Sequence, residues 1–410
     1  MKKTNLTIGT YYLAPYAGSK KHVKELAECG IDMVVNMRRD KQVLDLLHQY
    51  NVGAVLTGVF PGWFGGDGSN AGTMSQMNPL EQYEVVNEEL TEHPAVWGID
   101  VGDEPSACDF LHYGEIFRCV EKKYQNKFAY LNLYPSYGVK GTNMADEIQA
   151  QLGTADYAEY IEQFCTKVQS KYICFDYYLY SADISGLWKS LIVVSDACKK
   201  YGREMWMVLQ VNSHIPDVWI STNQLRFQAY AALAFGAEVI IWACYTAGWW
   251  YNHVLDKNGN KTQQYDKLKK VNEELHLLGM DYMNYQPEST WFVGTFSEQE
   301  PDAAGKTAVD ALNTRYFKNL KAENVQRLLV GVRKREKETR TGILVQEALM
   351  ICAADDPFDK KTSVYRVTFY SSNKNLKAVG RNGLIKLDES ADGMISFEIH
   401  SCEGVLLMGL

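Results

Sequence analysis

The sequence lacks the signatures of several common classes of protein. It has no CxxC pair, and neither HExxH nor HxH occurs among its eight histidines, so a zinc site of familiar spacing is not expected. No GxGxxG turn follows the first apolar run, and there is no P-loop and no GxSxG elbow. These absences argue against dinucleotide, nucleotide and serine-hydrolase sites. We therefore predict no cofactor and no metal.

Long apolar runs and basic stripes are also missing. The net charge is −8, and the few lysine clusters are typical of solvated helix faces, so neither nucleic acid nor a membrane is an expected partner. The N-terminus has no apolar signal core. A cytoplasmic location is expected, or a secreted one if a signal peptide has been removed. The nine cysteines are an odd number without close pairs, which favours buried free thiols.

What the chain has in abundance is apolar and aromatic residues in a repeating order. Of its 410 residues 46% are hydrophobic, enough for a large core and two domains. Apolar strand-like runs alternate eight times with amphipathic helices, which is typical of a (β/α)8 barrel. An open doubly wound sheet is the alternative, usually with fewer units and a glycine-rich phosphate turn. The predicted strands are 6–13, 32–37, 53–60, 96–102, 128–134, 172–178, 204–211 and 238–245.

The pattern changes after Gly279. Strand-like runs at 291–296, 327–333, 341–352, 364–370, 394–400 and 404–410 are separated by turn sequences, including Asn382-Gly383 and Asp392-Gly393. The last run carries no charge, so we place it inside a sheet. The sequence thus predicts a barrel over residues 1–285 and an antiparallel β-sandwich over 286–410. Residues 298–318 are expected to form a loop.

Residues 96–105 read V-W-G-I-D-V-G-D-E-P. Val96, Trp97, Ile99 and Val101 predict a buried strand, and the proline favours its end. Glu104 then falls at the carboxyl end of the strand, where such barrels hold their catalytic residues. The alternative is that these acids only start a loop or cap a helix.

Polar and aromatic side chains collect at the same ends of the other strands. Aromatic faces that stack on rings, together with amides and carboxylates that hold hydroxyls, are typical of a carbohydrate site. Rims of barrels are also polar for other reasons. The candidate binding residues are Tyr12, Asn36, Trp63, Asp103, Tyr134, Tyr178, Gln210, Asn212, Trp242, Tyr245 and Trp249.

Cleavage of a glycoside requires two carboxyl groups, about 5–10 Å apart. Glu104 is our candidate for the general acid, kept protonated by its apolar surroundings and by neighbouring acids. Asp176, at the end of the sixth strand, is the candidate for the second carboxylate. It could instead anchor Arg38 or loop amides, and Asp217 is a weaker candidate for its role.

Four motifs resemble those of clan-A-type TIM-barrel glycoside hydrolases, in a layout similar to the β-galactosidases of families 42 and 35. They are G-D-E-P on strand 4, F-D-Y-Y on strand 6, the helix L-R-F-Q-A-Y-A-A-L-A-F-G-A before I-I-W-A-C-Y, and L-D-K-N-G-N-K-T-Q-Q-Y-D-K-L-K-K-V-N-E-E-L. The resemblance covers residue 5 to about residue 280. It implies Glu104 as acid/base.

One position departs from that pattern. The clan has its nucleophilic glutamate at the end of strand 7, where this chain has Gln210, and an amide cannot act as a carboxylate nucleophile. Asp103 likewise replaces an asparagine that holds a sugar hydroxyl. The predicted function is hydrolysis of an oligosaccharide or glycan by Glu104 and Asp176. The alternative is a barrel that binds glycans without cleaving them.

Overall fold

The structure is a computed structural model that describes residues 5–66, 68–85, 88–140, 151–246, 248–296, 307–323, 327–339, 342–358 and 362–409. Eight parallel strands form one sheet in the order β5-β4-β3-β2-β1-β8-β7-β6. Leu133, just beyond β5, bridges to Phe175 of β6 and so brings the edge strands together. The predicted barrel is confirmed. The strands are β1 (Thr7–Tyr11), β2 (Met33–Met37), β3 (Gly53–Leu56), β4 (Val96–Asp103), β5 (Phe128–Asn132), β6 (Tyr172–Tyr177), β7 (Glu204–Gln210) and β8 (Ala237–Ala243).

Helices alternate with these strands along the chain. Several begin at a serine or aspartate whose side chain accepts a backbone N–H of the first turn, as at Asp156 and Asp183. The helices are α1 (Lys20–Glu28), α2 (Lys41–Gln49), α3 (Met74–Met77), α4 (Leu80–Val85), α5 (Phe110–Lys123), α6 (Tyr157–Lys167), α7 (Ile184–Tyr201), α8 (Thr222–Ala234) and α9 (Gln263–Tyr282).

The sequence pattern predicts one helix over residues 79–91 and another over 265–278 that ends at Gly279, and both predictions are wrong. The periodic stretch 79–91 is not one helix, because Glu88 is extended and its side chain caps a separate 3-10 turn at Glu89–Glu92. Gly279 does not end a helix but lies inside α9. A Cβ there would come within 2.1 Å of Asn5 Oδ1, so close approach explains this glycine.

The barrel interior is filled by side chains at alternate strand positions, as the period of two requires. The clustered side chains include Tyr130 of β5, Cys174 of β6, Val208 of β7 and Ile241 of β8. The next interior positions along β5, β6 and β7 are therefore Asn132, Asp176 and Gln210. This alternation directs polar groups to one end of the barrel.

The C-terminal strands form two antiparallel sheets, in the orders β15-β14-β18-β12-β11-β9 and β10-β13-β17-β16. Apolar side chains of both sheets share one core, which confirms the predicted β-sandwich. β18 lies between β14 and β12, as expected for an uncharged strand. The strands are β9 (Gln286–Val293), β10 (Phe317–Ala322), β11 (Leu328–Thr339), β12 (Gly342–Ala353), β13 (Val364–Ser371), β14 (Leu376–Gly380), β15 (Gly383–Ile385), β16 (Asp388–Glu389), β17 (Ile395–His400) and β18 (Gly404–Gly409).

Both predicted hairpin turns are confirmed, since β14–β15 and β16–β17 flank them. β10 was not predicted, and of the expected loop at 298–318 residues 298–306 lie outside the described ranges. The domain boundary at residue 285 stays a prediction. Contacts between residues divide the chain into two compact units. The first contains Met1–Leu6, Ile220–Glu238 and Lys267–Leu410, and the second contains Thr7–Trp219 and Val239–Asp266.

A buried ion network lies within the first of these units. Arg226 of α8 bonds Glu274 of α9 at 2.6 and 2.8 Å and lies 3.7 Å from Glu403. Glu403 also pairs with Arg381. Because all the charges are matched, their burial is tolerated.

All nine cysteines are free, and all but Cys108 and Cys119 are buried. The free thiols are as predicted; the exposure of Cys108 is not. In the described ranges, no helix combines the length and apolarity needed to span a membrane.

Candidate active site

Glu104 leaves the end of β4 in a strained conformation. Val96, Ile99 and Val101 are buried as predicted, whereas Trp97 is 38% exposed. The ladder of β4 continues to Asp103, and Glu104 N then donates to Asn132 O at 2.8 Å. Glu104 has a φ of 45°, a left-handed value that non-glycine residues adopt mainly where the surroundings enforce it. The residue therefore turns out of the sheet at a fixed point.

Asn132 joins two of the carboxyl groups. Its Nδ2 donates to Asp176 Oδ1 at 2.8 Å and to Asp103 Oδ1 at 3.1 Å. Cys174 Sγ donates to Asn132 Oδ1 at 3.6 Å, which fixes the amide orientation. Asn132 is buried and, at the next interior position of β5, it clamps β4 to β6.

Glu104 lies close enough to Asp176 for the two carboxyl groups to influence each other. Burial raises the pKa of Glu104 well above its usual range, and the charges of Asp176 and Asp103 raise it further. Glu104 is therefore the acid of the pair that keeps its proton to higher pH, and its protonation removes the repulsion between two neighbouring carboxylates.

Asp103 and Asp176 also titrate above their ordinary range. Burial raises the pKa of Asp176, and the charge of Asp103 adds to the effect, while the Asn132 amide opposes it. Burial likewise raises the pKa of Asp103. Asp100 precedes Asp103 by three residues on β4. Burial and the charge of Asp103 raise its pKa to about 7. The described site thus brings four acids together, and burial raises the pKa of each of them.

Asp176 is not an anchor for Arg38. The Arg38 guanidinium instead donates to Leu13 O at 2.7 Å and to Asp40 at 3.1 Å. Asp176 is 1% exposed, and besides the Asn132 amide it has the Tyr137 hydroxyl 3.5 Å from Oδ2. The buried carboxylate is thus held by an amide and a phenol, and among the described residues no cation pairs with it.

The loop after β3 lies directly against Glu104. Asp103 N donates to Trp63 O and Gly65 N donates to Asp103 O, each at 2.9 Å. A Cβ on Gly65 would lie 1.7 Å from Glu104 O, so only glycine allows this approach. The Tyr134 hydroxyl donates to Gly66 O at 2.8 Å. These contacts fix the backbone that carries the acid.

Gln210 and Asn212 are fully buried and engaged within the protein. Gln210 Oε1 accepts from Tyr180 N at 2.8 Å, and its Nε2 donates to Ser181 Oγ and Asn212 O, each at 3.0 Å. Asn212 Oδ1 accepts from Cys244 N. Gln210 thus holds the loop after β6 against the end of β7, and Asn212 holds the loop after β8, so these polar atoms are engaged within the protein.

The predicted aromatic residues divide into two groups. Trp242 and Tyr245 have no exposed surface; Trp242 is on the opposite phase of β8 from interior Ile241 and Ala243, so it does not line the rim. Trp249 is 37% exposed and contacts the Tyr11 ring. Among the other candidates, Tyr134 is buried. Those partly exposed at the strand ends are Tyr12, Asn36, Trp63 and Tyr178.

Several site residues were missed from the sequence. Asn132, Tyr137 and Asp100 contact or influence the acids, and Gly65 shapes the backbone beside them. Counting alternate positions forward from Tyr130 would have placed Asn132 inside the barrel. Asp217, the weaker candidate, is exposed with a φ of 63° in the loop after β7; no contact with Glu104 is described.

No protein-family model matches the chain, and no curated protein matches its sequence. Solved structures are similar in fold. A Paenibacillus sp. cycloisomaltooligosaccharide glucanotransferase, crystallised with cycloisomaltoheptaose, has a TM-score of 0.54 at 8% identity, covering 98% of this chain and 84% of that chain.

Two xylanases also match. One is a family 30 subfamily 8 enzyme from Clostridium acetobutylicum, with a TM-score of 0.49, 9% identity and coverage of 99% and 96%. The other is xylanase 10B of Thermotoga petrophila RKU-1, crystallised with xylobiose, with a TM-score of 0.42, 12% identity and coverage of 66% and 94%. At these identities the likeness is one of fold.

Proposed function

We propose that the chain is a glycoside hydrolase that cleaves a glycosidic bond in an oligosaccharide or glycan. In this proposal Glu104 protonates the leaving oxygen, and Asp176 acts as nucleophile or as base toward water. The observation that carries it is the gathering of buried acids around Asn132, whose amide donates to Asp176 and Asp103 and whose backbone carbonyl accepts from Glu104 N. Two carboxyl groups whose pKa values differ, as those of Glu104 and Asp176 do, supply an acid and a base at one place.

Substrate binding is assigned to the aromatic and polar groups around these acids. Tyr12, Tyr178 and Trp249 offer partly exposed ring faces, which suit the apolar faces of sugar rings. Trp63 Nε1 is buried and has no acceptor among the described residues, and pairing with a sugar oxygen would relieve that cost. The glucanotransferase with the same architecture was crystallised with a cyclic glycan, which is consistent with a carbohydrate ligand. The chemistry requires no cofactor and no metal.

The decisive experiment is a screen of nitrophenyl glycosides and unmodified oligosaccharides, with NMR of the first product anomer. We expect turnover of at least one glycoside by the unmodified chain and its loss in Glu104→Gln. Trp291→Ala, at an exposed tryptophan of β9, is the control and should retain activity. Absence of turnover with every glycoside would contradict the proposal.

The second candidate function is glycan binding without cleavage. It is favoured by Gln210, an amide where a catalytic carboxylate would stand, buried and saturated by protein hydrogen bonds. Under this function sugars would raise the melting temperature although no product anomer forms, and Glu104→Gln would leave that rise unchanged.

A further inference from the structure

Two rim loops, one after β7 and one after β8, are tied to each other. Ser213 and Tyr251 form an antiparallel bridge with N···O distances of 3.1 and 2.9 Å. The Asn252 amide donates to Ile215 O at 3.3 Å and to Val218 O at 2.7 Å. Because backbone and side-chain bonds cross-link the loops, the surface that they carry keeps a fixed shape.

That surface exposes large apolar side chains. Ile215 is 60% exposed, Val218 51%, Tyr251 50% and Trp249 37%. Single exposed apolar residues are ordinary, but several on adjoining loops indicate a binding surface. Burial lowers the pKa of His214, so its imidazole is uncharged near neutral pH, and its ring lies 4.1 Å from that of Trp250.

Ring contacts connect this surface to the acids. The Trp249 ring lies 5.9 Å from Tyr11 and 6.2 Å from Trp250, and Trp250 lies 4.5 Å from Tyr178. Burial raises the pKa of Tyr178, and the charge of nearby Asp176 raises it further. Aromatic rings in edge-to-face contact therefore connect Tyr11 and Tyr178 to the loop after β8.

We propose that the loops after β7 and β8 form a second binding subsite, which holds the part of a glycan chain that extends away from the reacting bond. The inference rests on the proposed function and narrows the substrate to chains longer than a disaccharide. A glycan is the occupant because the surface adjoins the acid-containing site through ring contacts and presents exposed rings suited to stacking on sugars.

The test measures binding by calorimetry in a Glu104→Gln background, so that turnover plays no part. The probes are cellohexaose, xylohexaose, mannohexaose and isomaltohexaose, each compared with its disaccharide. We expect at least one hexasaccharide to bind more tightly than its disaccharide. Tyr251→Ala should then weaken the hexasaccharide about three- to tenfold, the loss expected for one stacking ring, and leave the disaccharide unchanged. Trp291→Ala is the exposed-tryptophan control and should change neither.

Two results would overturn the inference: equal affinities for long and short probes, or equal losses for both in Tyr251→Ala. A Tyr251→Ala variant that changes only the oligomeric state in light scattering would assign the surface to a protein contact instead. Failure of the proposed function is separate, since it would appear as absent turnover in the unmodified chain while the length dependence of binding persists.

Discussion

The side-chain amide of Asn132 donates to Asp176 at 2.8 Å. This bond stabilises the ionised form of Asp176 against its burial, and the same nitrogen also contacts Asp103. Glu104 contributes in another way: its raised pKa keeps it protonated, so it adds no negative charge to the cluster. One neutral amide and one proton thus allow several carboxyl groups to share a small volume, which is otherwise costly.

Glu104→Gln keeps the shape of the side chain but removes the proton donor. General acid catalysis is typically worth about 10²–10⁴-fold in rate, so we expect at least that loss with alkyl or sugar leaving groups. Aryl glycosides with activated leaving groups need little protonation and should lose less. Steady-state kinetics on both kinds of substrate measure the difference, and equal losses would contradict the assignment of Glu104 as acid.

Asp176→Asn should abolish most activity with either leaving group. The second carboxylate acts at the anomeric carbon, and that step is needed whatever group departs. Asp217→Asn is the matched control, because Asp217 is an exposed aspartate of the loop after β7 and should retain activity. If instead Asp217→Asn is inactive and Asp176→Asn remains active, the second carboxylate has been assigned to the wrong residue.

Asp103→Asn should move the pH profile of kcat/KM to lower pH. Activity rises as Asp176 loses its proton and falls as Glu104 loses its own. The negative charge of Asp103 raises the pKa of both groups, so its removal lowers both values and shifts both limbs in the same direction. Asn132 can still donate to the new amide oxygen. Limbs that coincide with those of the unmodified chain would show that Asp103 does not act on the pair.

Gly65→Ala should impair catalysis through the backbone. The added methyl group would lie 1.7 Å from Glu104 O, so the acid must shift, and a displacement of about 1 Å can cost roughly 10²-fold in rate. Gly62→Ala is the control in the same loop, since a Cβ there meets no atom within 4 Å. We expect kcat to fall in the first variant only; equal rates in both would contradict a positioning role.

Gln210→Glu would place a carboxylate at the end of β7, yet we expect no gain in activity. Both amide hydrogens of Gln210 are donated, to Ser181 Oγ and to Asn212 O, and a carboxylate would face that carbonyl without a donor. Loss of a buried partner costs about 1–3 kcal/mol, so the melting temperature should fall. A rise in kcat at unchanged melting temperature would contradict this structural role.

Much of the site could be predicted because barrel topology brings strand ends together. Glu104 and Asp176 follow from apolar strands that end in an acid, and no contact information is needed to place them at one rim. Trp242 was assigned wrongly because the position of a strand end does not tell which of its residues face the barrel interior. A shift of one residue along a strand exchanges its two faces. The clamp by Asn132 and the approach of Gly65 depend on distances between separate strands.

The buried ion network joins helices α8 and α9 to the C-terminal strands. Arg226 and Glu274 belong to helices α8 and α9, and Glu403 to the turn before the final strand. α8 also packs on β11 and β12, where Gly331 admits the Ala234 carbonyl. Loss of the C-terminal strands would remove the cover of α8 and expose the Arg226–Glu274 pair to solvent. α8 and these strands therefore depend on each other for stability.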